Sequence, residues 1–269
     1  MPGASSRTGK RVAALAADEI QVLAEALAAA PATAAGVHEA RKSIRRLRSL
    51  LALVRPALGK SGVKPIDDVM KSLAKSLSAL RDGQVVLDTA HDCARHAAGA
   101  DEAASWDALT PLLALQQEHR VADALADDPG FMRRQAQAHR QAEGLRALPW
   151  HRLHANDLRH GLSRSLRRQQ RTQKIALASG SLEDLHDLRR KSRRLRMQLN
   201  ALKRLRISTH GVAVATGDIA DLVDQLGALQ DLALLQRSLS TLEAVPHVHA
   251  TPVAARRRMA RPSPIHPLA

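Results

Sequence analysis

The stretch VHEARKSIRRLRSL, Val37 to Leu50, is answered further along the chain by LHDLRRKSRRLRMQL, Leu185 to Leu199. His38, Arg41, Lys42, Arg45, Arg46, Leu47 and Arg48 align without gaps with His186, Arg189, Arg190, Arg193, Arg194, Leu195 and Arg196. At about 3.6 residues per turn, the histidine and cations of the first stretch fall within one arc of about 160°. Val37, Ala40, Ile44, Leu47, Leu51 and Val54 occupy the opposite arc. The second stretch repeats the division, with Leu185, Leu188, Leu195, Leu199 and Leu202 opposite its cations and polar Ser192 where Ile44 stands. Both therefore read as amphipathic helices with one basic and one apolar face.

A second pair of blocks follows in the same order. LSALRDGQVVLD, Leu77 to Asp88, matches LGALQDLALLQR, Leu226 to Arg237, and sets Asp82 opposite Asp231. Two ordered matches imply a duplicated helical unit, with halves at roughly 10–128 and 131–243. The rest of the composition agrees with helix. Two Trp, one Phe and no Tyr leave the core to Leu, Ala, Val and Ile. Good helix formers dominate, and no period-2 stretch carries hairpin chemistry. The expected fold is all-α.

Punctuation gives the expected helices. They run over 10–30, 34–58, from Pro65 towards Leu80, from a break at Gly83 to about Ala98, and from a cap at Asp101 to Asp127. Further helices span 131–148, 152–178, 181–206 (opened by a Ser181/Asp184 capping box), 218–226 and 229–242. Residues 1–9 read as a flexible N-terminus and 244–269, rich in Pro, His and Arg, as a disordered basic tail.

Lys and Arg number 41 against 26 Asp and Glu, a net charge of +15 with a pI near 11.2, so an anionic partner is expected. The charge is concentrated. Residues 37–60 hold seven Lys and Arg against one acid, 151–178 seven against one, and 181–206 nine against three. Arg164, Arg168, Arg171 and Lys174 form a third row at helical spacing. Like charges at i, i+4 repel, whereas ordinary surfaces interleave both signs, so rows of arginine point to an external anion that completes them. The guanidinium fork matches paired phosphate oxygens and stays charged when half-buried. The histidine heading each row becomes a further cation where a polyanion raises its pKa.

Signals for other classes are weak. A single cysteine, Cys93, excludes an internal disulfide framework and a multi-cysteine zinc site, and suits a reducing compartment. Asp18 and Glu19 interrupt any signal-peptide core, and no run reaches the roughly 18 apolar residues of a membrane span. A soluble cytoplasmic chain without a membrane partner is expected. No Walker or Rossmann glycine pattern is present. Asp67, Asp68, Asp127 and Asp128 read as helix-end charge. Asp218, Asp221 and Asp224 share a face that reads as solvated rather than as a magnesium site. No catalytic residue, cofactor or metal is expected.

These blocks resemble the CHAD family, the conserved histidine α-helical domain. The resemblance rests on an H-x-x-R-[RK]-x-x-R-R-x-R helix in each half, here VHEARKSIRRLR and LHDLRRKSRRLR, each followed by an L-G-x-[RNQ]-D element, here LSALRD and LGALQD. It covers roughly residues 10–243. Ser78 departs from the pattern where Gly227 keeps it, and Met197 and Asn200 stand where the family often has Tyr and Glu. The resemblance implies two pseudo-symmetric helical bundles whose basic helices face a central groove, and non-enzymatic binding of inorganic polyphosphate. The phosphate-contacting candidates it implies are His38, Arg41, Lys42, Arg45, Arg46, Arg48, His186, Arg189, Arg190, Arg193, Arg194 and Arg196. Arg164, Arg168, Arg171 and Lys174 are additional candidates. The E-x-E-x-K signature of the hydrolase domain often fused to this family is missing, so a stand-alone, polyphosphate-granule-associated domain is expected. Nucleic acid is the competing polyanion, disfavoured because stacking platforms need aromatics. A granule-associated scaffold is the other alternative.

Overall fold

Short polar side chains set where the helices begin. Ser6 Oγ accepts from the Gly9 amide at 3.5 Å, starting α1 (Arg7–Ala29) three residues before the expected Lys10. Thr33 Oγ1 accepts from the Gly36 amide at 3.0 Å and opens α2 (Ala34–Leu58), which ends at Gly59 with φ 89°, both ends as the sequence predicts. The computed structural model describes residues 6–209 and 216–243, so the basic tail and residues 1–5 lie outside the described residues. The remaining helices are α3 (Lys60–Ser76), α4 (Ser78–Arg95), α5 (Ala100–Asp127), α6 (Met132–Arg146), α7 (Ala155–Ser179), α8 (Leu182–Arg204) and α9 (Thr216–Glu243). Among the described residues there is no strand, and the fold is all-α.

Four local expectations change. Pro65 lies inside α3 rather than in its first turn, forgoing one intrahelical bond. The break before α4 falls at Leu77, not Gly83. Gly83 is instead buried in mid-helix, where a Cβ would lie 1.8 Å from Gln117 Oε1 of α5, so the glycine makes room for the Gln117 side chain rather than marking a turn. Gln117 Nε2 also donates to the Leu80 carbonyl at 3.0 Å, holding α5 against α4. Gly99, not Asp101, stands at the N-cap of α5, and Glu102 reaches back to accept from the Ala98 amide at 2.8 Å. The two helices expected over 218–242 are one helix, α9, because Gly227 weakens a helix by only about 1 kcal/mol and no proline interrupts it.

The capping box at Ser181 forms by half. Ser181 Oγ accepts from the Asp184 amide at 3.1 Å, but the Asp184 carboxylate takes Ser179 Oγ (2.6 Å) and Ser181 Oγ (2.9 Å) instead of the cap amide. Those two hydroxyls hold the Asp184 carboxyl below its ordinary range.

The helices pack into two compact units. The first is built from α1–α3, α6–α8 and the start of α9; the second from α4, α5 and the rest of α9, with boundaries after Leu77, Pro129 and Val223. The units interleave along the chain, and the two basic helices, α2 and α8, share the first. In that unit α2 packs against α1, α3, α7 and α8. Leu47, Leu51, Leu195 and Leu199 are buried, as the apolar arcs predict. Ser192, the polar break in the second stripe, is fully buried and accepts a hydrogen bond from Gln169 Nε2 of α7 at 3.3 Å. The second unit closes around Val86, Ala90 and Cys93 of α4, Trp106, Leu109 and Leu113 of α5, and Leu235, Leu239 and Leu242 of α9. Cys93 is thus a core side chain.

Candidate anion-binding site

The apolar arcs of α2 and α8 bury themselves, which turns their basic arcs outward along the seam where the two helices meet. At that seam Ser49 Oγ, which donates to the Arg45 carbonyl at 2.7 Å, lies 3.6 Å from Met197 Sδ, and Gln198 Nε2 donates to the Ser49 carbonyl at 3.0 Å. The departure at Met197 is therefore absorbed by a contact with Ser49. Beside it opens a cavity of about 300 Å³. Lys42 and Arg46 of α2 and Arg193, Arg196 and Arg204 of α8 line it, above an apolar floor of Leu15, Leu50 and Val223.

One buried acid stands in this wall. The carboxylate of Glu19 in α1 accepts from Arg46 Nε at 2.7 Å and from Arg204 Nη1 at 2.9 Å, while Ser43 Oγ donates to the Glu19 backbone carbonyl at 2.5 Å. Arg46 also donates to Glu39 at 2.6 Å, which Lys42 approaches at 3.4 Å. Burial works against charge on both partners, yet the ion pairs win: Arg46 is raised above its ordinary value, and Glu39 is lowered by Arg46 and Lys42. The expectation of an uncompensated first row is corrected here, because other helices supply the missing acids.

The other candidates are distributed around α2 and α8. Arg41 Nη1 donates to the Ala74 carbonyl in the last turn of α3 at 2.7 Å, and Arg48 Nε donates to Asp67 of α3 at 2.7 Å. These two reach towards α3 and do not line the cavity. Arg190 pairs with Asp187 at 2.5 Å within its own helix. Arg194 is held below its ordinary value, first by burial and then by Arg48, an effect Asp67 partly offsets and Arg190 and Arg168 reinforce. Arg45 and Arg189 are half-buried; His38 and His186 are exposed at the head of each row. Arg164, Arg168, Arg171 and Lys174 are exposed on α7.

Two residues of the site escape the sequence rows. Arg204 falls on the same line of α8 as His186, so carrying the helical wheel two turns further finds it. Glu19 carries a signal of the same kind: it stands four residues from both Leu15 and Leu23 on the apolar line of α1, whereas Asp18 and Glu25 stand off that line and are exposed. Among the described residues, no group of three or more His, Cys, Asp or Glu is placed to hold a metal ion, and no helix is long and apolar enough to cross a membrane.

An all-α fold with two arginine-rich helices side by side, each headed by histidine, defines a class that comparison identifies. A family model described as the CHAD domain matches residues 11–240, and the chain belongs to that family. The crystal structure of the CHAD domain from the plant Ricinus communis superposes with a TM-score of 0.64 at 18% identity, over 95% of this chain and 85% of that one. At that identity the likeness concerns the fold. No curated protein matches the sequence.

Proposed function

We propose that the chain binds inorganic polyphosphate without acting on it chemically, through cations that α2 and α8 present together. The observation that carries this reading is the shared cavity, where Lys42 and Arg46 from one row meet Arg193 and Arg196 from the other, with Arg204 beside them. Polyphosphate is a flexible string of anionic units without bases, so successive units can each engage a guanidinium fork. Membership of the CHAD family supports the same ligand. The arrangement also supports a duplicated ancestry: Ser49 and Met197 touch across the seam and are 148 residues apart. His38 and His186 are separated by the same number, so Ser49 and Met197 are equivalent positions of the two matching stretches. On this reading the protein works in the cytoplasm at polyphosphate granules, as a binding module.

The deciding experiment is a competition titration of long-chain polyphosphate against DNA and RNA at about 0.15 M salt, with concentrations counted per phosphate. Polyphosphate should win by at least about tenfold, roughly 1.4 kcal/mol. Lys42→Glu with Arg193→Glu should abolish the binding while circular dichroism remains helical. Equal displacement by nucleic acid would favour the nucleic-acid reading, for which the two Trp and one Phe offer few stacking surfaces.

A further inference from the structure

A second basic recess lies in the first unit, where the end of α2, the start of α3 and the first half of α7 converge. It is a cleft of about 420 Å³ lined by Ala52, Arg55, Pro56, Lys60, Gly161, Arg164, Ser165 and Arg168. Its construction is tight at one end. A Cβ on Gly161 would lie 2.3 Å from the Leu53 carbonyl, so α7 crosses α2 with backbone nearly touching backbone. That crossing fixes Arg164 and Arg168, one and two turns further along α7, opposite Arg55 in the last turn of α2.

The cleft differs from the α2–α8 cavity in one respect that bears on ligands. Glu19 stands in the wall of the cavity, whereas no acid lines the cleft. Among the described residues none of Arg55, Lys60, Arg164 and Arg168 forms an ion pair with an acid. Four positive charges therefore share one concave surface, and Arg164 and Arg168 repel each other at i, i+4 spacing. A concave wall of one sign concentrates the field of its charges on any anion that enters. Three guanidinium forks, one ammonium and the Ser165 hydroxyl are donors without an aromatic neighbour in the lining. Such a set recognises phosphate oxygens and offers a nucleobase no aromatic platform, only guanidinium faces already engaged by phosphate.

We infer that this cleft is a separate binding site for a compact oligophosphate, of the size and charge of tripolyphosphate. It does not require the α2–α8 cavity to bind long polyphosphate. A free tripolyphosphate and the triphosphate of a nucleotide present the same chemistry, and the missing aromatics predict that the base adds nothing.

The test is calorimetric titration of the full chain with tripolyphosphate and, separately, with ATP and with long-chain polyphosphate at about 0.15 M salt. Three proteins are compared: the wild type, Arg55→Gln with Arg164→Gln, and Lys42→Glu with Arg193→Glu. Arg168 is left in place because its charge also acts on Arg194. Tripolyphosphate should bind about tenfold more weakly to the cleft variant and within about twofold of wild type to the cavity variant. ATP should bind the wild type no more tightly than tripolyphosphate. Should the cleft variant lose its helicity, Lys60→Gln, at an exposed position, replaces it, with an expected weakening of about threefold. No binding to the wild type, unchanged affinity in the cleft variant, or tighter binding of ATP would each overturn the assignment. Loss of long-chain binding alone in the cavity variant, with tripolyphosphate retained, supports two sites. If long polyphosphate fails to bind the wild type while tripolyphosphate binds at the cleft, the proposed function falls and the cleft stands.

Discussion

Helices α2 and α8 carry cations at matching positions, with Lys42 answered by Arg190, and set them among different neighbours. On α2, Arg41 caps a carbonyl of α3, Arg48 pairs with Asp67 of α3, and Arg46 pairs with Glu19 of α1. On α8, Arg190 pairs within its own helix, Arg193 and Arg196 stand on the cavity wall, and Arg194 is half-buried near other arginines. A repeated sequence copies the face on which charges stand. It does not copy the neighbours, and the neighbours' acids decide which charges stay at a ligand's disposal.

The largest test of this comparison concerns the half that the helices share. Leu47→Ala and Leu195→Ala, at equivalent and fully buried positions, should each cost about 2–5 kcal/mol in urea denaturation. A wide gap between the two costs would show that the apolar faces are not equivalent. Next in size is Glu19→Gln, which withdraws the anion from Arg46 and Arg204. It should destabilise the fold by about 1–3 kcal/mol. It should also tighten polyphosphate binding by about three- to tenfold, because a competing carboxylate has gone. Stability unchanged and binding weakened would make Glu19 an organiser of the site rather than a competitor.

Smaller effects should differ in sign. Arg48→Ala should cost about 1 kcal/mol, the value of a half-buried ion pair to Asp67. Arg194→Ala should be neutral or slightly stabilising without ligand, because burial and Arg48 already oppose its charge. Equal losses at both would erase the asymmetry between the helices. The smallest effect is pH-dependent. Glu39 lies below its ordinary value of 4.5, so its contribution is complete above that pH and disappears as the pH falls through its lowered value. Glu39→Gln should flatten the acid limb of the stability curve in that range, which thermal melts at stepped pH would detect.

Much of this fold was legible from spacing alone. The end of α2 followed from Gly59, and the buried faces of α2 and α8 from their leucines, because helix breaking and periodicity are local properties. Gly83 misled because a glycine that makes room for the side chain of Gln117 looks, in sequence, like one required by a turn. Gly227 misled for the opposite reason: a helix held by tertiary packing tolerates it. In the candidate site, the cations were visible as rows, but the division of those rows among the cavity, α3 and the cleft was not. That division depends on Glu19, whose contacts cross 24, 27 and 185 residues of chain, on Asp67, whose contact crosses 19, and on the close crossing at Gly161.

The buried carboxylate of Glu19 also has a thermodynamic consequence. When a polyphosphate chain is neutralised by protein cations, the salt ions condensed on it return to the solvent, and the slope of log affinity against log salt counts them. A phosphate that meets Arg46 and Arg204 also meets Glu19, so the positive charge it encounters is smaller than the number of guanidinium groups. The slope should therefore fall short of the cation count around the cavity. A protein with an internal counter-ion yields less of its affinity to rising ionic strength than its arginine content alone would indicate.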